Sequence, residues 1–360
     1  MTDAVASSDA EVTGTKSVRD EDSFDAAAVD AWLRPHASDL TGAPEIRQFS
    51  GGASNLTYLL RYPERDLILR RPPPGTKAAS AHDMAREYRV QDSLKPAFPY
   101  VPTMVVLCQD PAVIGSDFYV MERIPGTILR KEIPRDLALD PASLRQLCES
   151  VIDRLVDLHQ VDPNAAGLAD LGKGPGYVAR QVEGWSRRYR AAKTWNVPPF
   201  ERVMSWLDEN QPDDVATCVI HNDFRLDNVV LAPDDPQRIV GVLDWEMATV
   251  GDPLMDLGGS LAYWVQADDD RLMHLLRRQP THVPGMLTRQ EVVDRYAARS
   301  GRQVDDWPFY EVFGLFRLAT IAQQIYFRYH HKQTRNPAFR HFWLGVRYLD
   351  RRCRKIIRDA

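Results

Sequence analysis

The chain has 360 residues, of which 44% are hydrophobic and 26% are charged, as in an ordinary soluble globular protein. This composition excludes collagen-like, wholly disordered and disulfide-scaffold proteins, and a net charge of -5 gives no reason to expect nucleic-acid binding. At roughly 150 residues per domain, the length favours two domains or one large two-part unit.

The first 23 residues differ in composition from the rest of the chain. They carry six acidic and two basic residues but no aromatic residue, Leu or Ile, so they bury too little apolar surface to offset the entropy of ordering. We predict a disordered acidic tail over residues 1–23. A helical period begins at Phe24, with Ser23 as its N-cap.

Residues 24–124 contain short apolar runs separated by turn residues, and one helical period. The predicted strands cover residues 46–49, 56–62, 67–70, 104–108 and 118–121, and the predicted helix covers residues 81–94. The pair Pro125-Gly126 then breaks the chain. We expect a small sheet-and-helix domain over residues 24–124.

Long helical periods dominate residues 125–360. The predicted helices cover residues 144–159, 177–192, 291–298, 309–329 and 339–357. A strand-and-loop segment at residues 217–245 interrupts them. We therefore expect a larger, mainly helical domain, and an α+β protein as a whole.

The spacing of the cysteines and the length of the apolar segments bear on where in the cell the protein is located. The four cysteines are far apart and show no Cys-x-x-Cys spacing, which favours small buried thiols in a reducing compartment over a zinc site. The sequence shows no signal peptide, and no segment approaches the roughly 20 apolar residues that cross a bilayer. We expect a cytoplasmic protein that binds no membrane.

The segment at residues 217–245 carries the residues best suited to catalysis. His221 and Asp223 are followed by Asn228 and, sixteen residues later, by Asp244, each at the end of a short apolar run. Asn228 and Asp244 offer hard oxygen ligands to Mg²⁺, and Asp223 is left to accept a proton from an attacking hydroxyl. This trio suits phosphoryl transfer. His221 has no second histidine at ligand spacing, so we expect it to brace the loop.

The sequence resembles the aminoglycoside phosphotransferase and choline kinase superfamily, from about residue 49 to about residue 330. It is most similar to the kinase-like domain that accompanies some acyl-CoA dehydrogenases. The resemblance implies a bilobal protein-kinase-like fold with a small antiparallel-sheet N-lobe that covers the nucleotide. It also implies a larger helical C-lobe that holds the catalytic loop and the acceptor, with ATP and Mg²⁺ as cofactors.

The resemblance also assigns nucleotide-binding residues. The phosphate-covering loop corresponds to Ser50, Gly51, Gly52, Ala53, Ser54 and Asn55, although its glycines do not follow the Gly-x-Gly-x-x-Gly pattern. Arg70 stands where protein kinases have a lysine, and Glu87 where the partner helix supplies a glutamate. The resemblance implies that Arg70 reaches the phosphates while Glu87 steadies it. An arginine differs from lysine in reach and donor geometry, and an ordinary surface ion pair is the alternative.

Further residues are assigned in the same way. The interlobe hinge corresponds to residues 118–126, where adenine would bind the backbone of Glu122 and Ile124, with Met121 behind it. A structural strand and turn would look similar. Arg225 lies where kinases carry a cation near the transferred phosphate, and a plain loop arginine is its alternative.

Three acidic residues follow Asp244, and we expect different roles for them. Glu246 is a further candidate for the metal site. Asp256 is expected to bind backbone N–H groups near the catalytic loop, and Asp252 precedes a proline that starts a helix.

The acceptor is a small molecule with a hydroxyl group, and its identity stays open. Residues 328–360 carry ten basic and two acidic residues, which form either a solvated face or a docking surface for an anionic acceptor. The arginines on an earlier predicted helix add to the second alternative: Arg180, Arg187, Arg188 and Arg190. The resemblance implies a hydroxyacyl-CoA or a related anionic metabolite.

Three other functions compete with this hypothesis. A pseudokinase scaffold would be expected to lack one of Asp223, Asn228 and Asp244, and all three are present. An antibiotic phosphotransferase is disfavoured because a cationic acceptor calls for acidic residues in its groove. A protein kinase fits less well because Trp-Glu, rather than Phe-Gly, follows Asp244.

Overall fold

The computed structural model describes residues 14–49, 55–73 and 83–360, and the chain divides into two compact units. The first contains Met1–Lys95 and Val101–Ile124, and the second contains Pro96–Tyr100 and Pro125–Ala360. The cut after Ile124 falls at the Pro-Gly break noted in the sequence. Residues 96–100 pack with the second unit because the Val242 N–H donates to the Tyr100 carbonyl oxygen at 2.8 Å.

In its described residues, the first unit has an antiparallel sheet of six strands and three α-helices. In chain order its elements are β1 (Thr15–Lys16), α1 (Ala26–Leu33), β2 (Glu45–Phe49), β3 (Leu56–Arg61), β4 (Asp66–Arg71), α2 (Met84–Leu94), β5 (Met104–Cys108), α3 (Pro111–Ile114) and β6 (Phe118–Glu122). The order across the sheet is β1-β2-β3-β4-β6-β5. The predicted strands are confirmed, with bounds that differ by one residue or less, whereas β1, α3 and the order of the strands across the sheet were not predicted.

Alternation along the strands buries both faces of this sheet. Leu67 and Leu69 of β4 pack in one apolar cluster with Leu33 of α1. Ile68, between them in sequence, packs in a second cluster with Met84 of α2. Since successive side chains of a strand point to opposite faces, one short apolar run supplies two cores.

The tail prediction is wrong for residues 14–23, whereas residues 1–13 lie outside the described residues. β1 pairs with β2, and the buried Asp22 accepts a hydrogen bond from Gln48 Nε2 at 2.8 Å. Sequence composition missed this because a buried carboxylate with hydrogen-bond donors needs no apolar neighbours of its own. The N-cap of α1 is Asp25 rather than Ser23, since the Asp25 carboxylate accepts from two backbone N–H groups of the first turn.

The second unit is mainly helical. In chain order its elements are β7 (Thr127–Ile128), α4 (Pro141–His159), α5 (Tyr177–Ala192), α6 (Glu201–Glu209), β8 (Cys218–Ile220), β9 (Val229–Leu231), β10 (Ile239–Val242), β11 (Thr249–Gly251), α7 (Pro253–Leu261), α8 (Arg271–Leu276), α9 (Arg289–Ser300), α10 (Trp307–His330) and α11 (Phe342–Asp359). The strands form two small antiparallel sheets, β10-β9-β7 and β11-β8. Within the described parts of the chain, no helix is both long and apolar enough to cross a membrane.

Glycines allow α7 and α10 to approach each other closely. A Cβ added at Gly314 of α10 would lie 2.1 Å from the Gly258 carbonyl oxygen of α7. A Cβ added at Gly258 would lie 2.5 Å from the Tyr310 carbonyl oxygen. Backbone atoms cannot yield to such a contact, so the absence of side chains here sets the distance between the two helices.

We expect Gly314→Ala to force α7 and α10 apart and to lower the free energy of unfolding by about 2–3 kcal/mol, as overpacked cores do. Denaturant unfolding followed by circular dichroism measures this. Gly184→Ala in α5 is the matched control, because its Cβ meets only the Arg188 side chain at 3.6 Å. That variant should be neutral or up to about 1 kcal/mol more stable. Equal stability of the two variants would contradict the prediction.

Candidate active site

The loop after β8 is held in place by one buried carboxylate. Asp256 of α7 accepts hydrogen bonds from the backbone N–H groups of His221 and Asn222, both at 2.8 Å. It also accepts from His159 Nε2 at 3.1 Å and is fully buried. Asn222 has a left-handed conformation (φ 63°) that turns the chain here. The role predicted for Asp256 is confirmed, and Asp252 is the N-cap of α7.

His221 connects the loop after β8 with the residue that follows β10. Its Nδ1 accepts from the Asp223 N–H at 3.2 Å, and its Nε2 donates to the Leu243 carbonyl oxygen at 3.0 Å. Burial lowers the pKa of His221, so the imidazole remains neutral at pH 7 and can donate and accept at once. The predicted bracing role of His221 is therefore confirmed.

Asp223 and Asn228 lie side by side. The Asn228 Nδ2 donates to the Asp223 backbone oxygen at 2.9 Å and lies 3.3 Å from the Asp223 Oδ2. Burial raises the pKa of the Asp223 carboxyl, and the negative charge of Asp244 adds to the rise, while the charge of Arg225 opposes it. A carboxylate with a raised pKa is a better proton acceptor.

Arg225 is fixed by three neighbours. Its NH1 lies 3.1 Å from Asp223 Oδ1, its Nε donates to Asp227 Oδ1 at 2.9 Å, and its guanidinium lies 4.7 Å from the centre of the Tyr263 ring. The geometry thus places the charge of Arg225 against the carboxylate that the sequence predicts to be the proton acceptor.

Asp244 follows β10 and adopts the left-handed conformation (φ 70°). Leu243, the residue before it, contacts the loop that follows β8: the Leu243 N–H donates to the Asn228 carbonyl oxygen at 2.8 Å. The short turn after it, Trp245–Met247, contains Glu246. The backbone therefore brings Asp244 next to Asn228 although sixteen residues separate them.

The donor set of this segment fits a magnesium ion. Because the Asn228 Nδ2 is engaged with Asp223, the amide Oδ1 is the atom available to a metal, and Asp244 adds a carboxylate. Hard oxygen donors suit Mg²⁺, which keeps several water or phosphate ligands. Across residues 14–49, 55–73 and 83–360, no three His, Cys, Asp or Glu side chains form a metal-binding group. A cation here would thus need phosphate oxygens or water as further ligands.

The first unit contains the predicted arginine and glutamate as a buried pair. Arg70 of β4 lies with its NH1 4.0 Å from the Oε2 of Glu87 of α2, and both side chains are buried. Glu87 also accepts from Asn55 Nδ2 at 2.6 Å and from the Tyr119 hydroxyl at 3.0 Å. This burial argues against an ordinary surface ion pair. Asn55, predicted to lie over the phosphates, directs its amide to Glu87.

Of the other predicted nucleotide-binding residues, the structure describes three, in and just after strand β6. Met121 is buried at the end of β6, in the cluster with Ile68 and Met84. The Glu122 N–H donates to the Thr103 carbonyl oxygen at 2.8 Å, so a ligand could bind this residue's backbone only through its carbonyl. Ile124 is the last residue of the first unit. The predicted loop residues Ser50, Gly51, Gly52, Ala53 and Ser54 lie outside the described residues.

Two residues near the catalytic loop were not predicted. Arg317 of α10 donates from NH2 to the Asn222 carbonyl oxygen at 2.6 Å. The buried Gln279 accepts from the Leu226 N–H at 2.7 Å. The one available signal was the arginine at position 317 within an otherwise apolar run of α10.

Comparison with known proteins gives the class of this fold and then the family. The fold is the kinase-like α+β fold: choline kinase from Cryptosporidium parvum matches with a TM-score of 0.62 at 12% identity, covering 93% of this chain and 97% of that chain. Residues 45–299 match the profile of the Phosphotransferase enzyme family. The chain belongs to this family, which confirms the resemblance stated from the sequence.

Two further proteins are more similar in sequence. A structure from Ralstonia eutropha JMP134, assumed to be an aminoglycoside phosphotransferase, is 31% identical with a TM-score of 0.79, covering 94% of this chain and 99% of that chain. Acyl-CoA dehydrogenase family member 10 of Mus musculus is 38% identical over 290 residues, which is 80% of this chain and 27% of that protein. The chain spans well under half the length of the curated relatives it matches.

Proposed function

We propose that this protein is a small-molecule kinase that transfers the γ-phosphoryl group of ATP to a substrate hydroxyl. One observation carries the proposal: Asp223 lies beside Asn228 and Arg225, in a loop fixed by His221 and Asp256, within a chain of the phosphotransferase family. A proton acceptor, a metal-ligand amide and a cation are the groups that phosphoryl transfer requires.

Asp223 is the proton acceptor in this proposal. The acceptor hydroxyl oxygen forms a bond to the γ-phosphorus while the bond from that phosphorus to the β–γ bridging oxygen breaks. ADP leaves, and the hydroxyl proton passes to the Asp223 carboxylate. Arg225, 3.1 Å from that carboxylate, holds it in position and adds positive charge near the reacting oxygens.

Asn228 and Asp244 would hold Mg²⁺, and a bound ion would neutralise phosphate charge as the bond breaks. In the first unit, Arg70 would contact the phosphates. Glu87, which is itself held by the amide of Asn55, lies 4.0 Å from Arg70 and would steady it. The carbonyl of Glu122 and the N–H of Ile124 would bind adenine, and the loop at residues 50–55 would cover the phosphates.

We further propose that the acceptor is a hydroxyacyl-CoA or a related anionic hydroxy acid. The name of the mouse relative links its longer chain to acyl-CoA chemistry, and the excess of basic residues at positions 328–360, together with the arginines of α5, favours an anion. The name of the Ralstonia protein favours an aminoglycoside instead.

Four buried free cysteines fit the reducing cytoplasm that we expect for this protein.

A screen for acceptor-dependent ADP release tests the function. The protein with MgATP is incubated with hydroxyacyl-CoA thioesters, free hydroxy acids and aminoglycosides, and products are identified by mass spectrometry. We expect ADP release and a phosphorylated product with one of the anionic acceptors. Nucleotide binding without turnover on any acceptor would favour the pseudokinase, and phosphorylation of an aminoglycoside alone would refute the anionic acceptor.

A further inference from the structure

The four arginines of α5 do not have the same surroundings. Arg180 bonds to the backbone oxygens of Gly174 and Pro175, Arg187 pairs with Glu183 at 3.4 Å, and Arg190 pairs with Glu201 at 2.7 Å. The side chain of Arg188 makes neither a hydrogen bond nor an ion pair with any described residue. It contacts the Trp185 ring, with its guanidinium 4.7 Å from the ring centre. The structure thus separates Arg188 from the other three.

A second arginine lies against the same tryptophan. The guanidinium of Arg317 is 5.4 Å from the centre of the Trp185 ring, and Arg317 is only 8% exposed. Its single hydrogen bond to a described residue is the one to the Asn222 carbonyl oxygen. No carboxylate in the described parts of the chain lies within ion-pair distance of either guanidinium. Trp185 therefore contacts two positive charges, neither of which has an ion-pair partner among the described residues.

A bound anion would stabilise this arrangement. Arg317 is buried and its charge faces one backbone carbonyl oxygen, whereas Arg188 is an exposed residue, and the two cations on one ring repel each other. Partial desolvation and the charges of Arg187 and Arg317 lower the pKa of Arg188, which is the direction expected for a site of excess positive charge. Contact with the indole ring offsets only part of this cost.

The fold makes room for Arg317 at this position. A Cβ added at Gly259 of α7 would lie 2.6 Å from Arg317 NH1. Gly259 is three residues after Asp256, which holds the catalytic loop, and Arg317 bonds to Asn222 of that loop. Arg317 therefore lies beside the segment that carries Asp223, and Arg188 contacts the same tryptophan ring as Arg317.

We propose that Arg188 and Arg317, stacked on Trp185, form an oxyanion site that binds a carboxylate or phosphate group of the phosphoryl acceptor. This inference rests on the proposed kinase function and adds the residues that select the acceptor. The anion accepts hydrogen bonds from both guanidinium groups, and the acceptor hydroxyl is then directed to Asp223. Guanidinium groups bind such oxyanions through paired hydrogen bonds.

Binding of inorganic phosphate tests the site without any turnover. The indole ¹⁵N–H signal of Trp185, identified through Trp185→Phe, reports on the ring that both arginines contact. We expect added phosphate to shift this signal in the wild type and in Arg187→Gln, and to shift it much less in Arg188→Gln. Arg188→Lys, which keeps the charge, should recover part of the shift. No phosphate-dependent change at Trp185, or an equal change in Arg188→Gln, would overturn the proposal.

Acceptor pairs that differ only in the anionic group test its use in catalysis. A hydroxy acid is compared with the diol of the same length, and glycerol 3-phosphate with glycerol. We expect Arg188→Gln to lower the preference for the anionic member by about tenfold or more in kcat/KM, and Arg187→Gln to leave it unchanged. Arg347→Gln on α11, beside Trp195 and Trp343, tests the alternative docking surface for an anion, formed by the basic residues at positions 328–360.

The outcomes separate the two proposals. If the wild type releases no ADP with any acceptor, the kinase function fails, and the phosphate titration alone decides whether the anion site exists. If the wild type is an active kinase whose anion preference is unchanged in Arg188→Gln, the site is wrong and the kinase stands. A loss of preference in Arg347→Gln alone would move the anion to α11 and refute the site at Trp185.

Discussion

Asp223→Asn is expected to lower kcat for acceptor phosphorylation by about a hundredfold to ten-thousandfold, because it removes the group that accepts the hydroxyl proton. An asparagine side chain keeps the size of the carboxylate and can still lie beside Asn228, so nucleotide affinity should change little. Single-turnover formation of the phosphorylated product and calorimetric titration with ATP measure the two effects separately.

Asp227→Asn is the matched control for this variant. Asp227 lies in the same loop and binds the same guanidinium, with Arg225 Nε donating to its Oδ1 at 2.9 Å. We place it outside the chemical step, so we expect a loss of less than about tenfold in kcat. If both variants lost the same activity, the function of the loop would lie in holding Arg225, and Asp223 would not be the proton acceptor.

Part of the fold was predictable from local patterns. The strands of the first unit alternate apolar residues on two faces, and β3, β4 and β6 end within one residue of their predicted bounds because Gly, Pro and charged residues stop the apolar runs there. α5 was predicted with its observed bounds. The end of the disordered tail could not be predicted in this way, because Asp22 is held by a hydrogen bond from Gln48, a residue 26 positions away in the sequence.

The geometry of the candidate site was predictable in part. The types and spacing of Asp223, Asn228 and Asp244 predict metal-assisted phosphoryl transfer, because two oxygen ligands and a further carboxylate suit that reaction. The structure brings Asp223 beside Asn228, and the reaction itself stays a prediction. Arg317 could not be predicted, since its position beside Asn222 depends on how closely α10 packs on α7. That distance is set by Gly258 and Gly314, whose effect appears only once both helices are placed.

Asp256→Ala is expected to lower the free energy of unfolding by about 3–5 kcal/mol, because it leaves three donors without an acceptor: the N–H of the buried His221, the N–H of the half-buried Asn222, and Nε2 of the buried His159. The free energy of unfolding of Asp256→Asn should lie between those of Asp256→Ala and the wild type, since an amide can accept hydrogen bonds at only one atom. Asp270→Ala, which removes an exposed N-cap from α8, is the control and should cost about 1 kcal/mol. Denaturant unfolding measures all three.

The pH dependence of this loss gives a second test. Burial alone would raise the pKa of Asp256, but the hydrogen bonds from His159 and the His221 N–H outweigh burial and lower it. A carboxyl whose pKa is lower in the folded state stabilises the fold above its unfolded pKa of about 3.9, and this contribution disappears as the pH falls below that value. The difference in the free energy of unfolding between the wild type and Asp256→Ala should therefore shrink as the pH falls from about 5 to about 3, a range that brackets the unfolded pKa. A difference that stayed constant over this range would mean that Asp256 acts through packing and not through its charge, and the catalytic loop would then need another source of order.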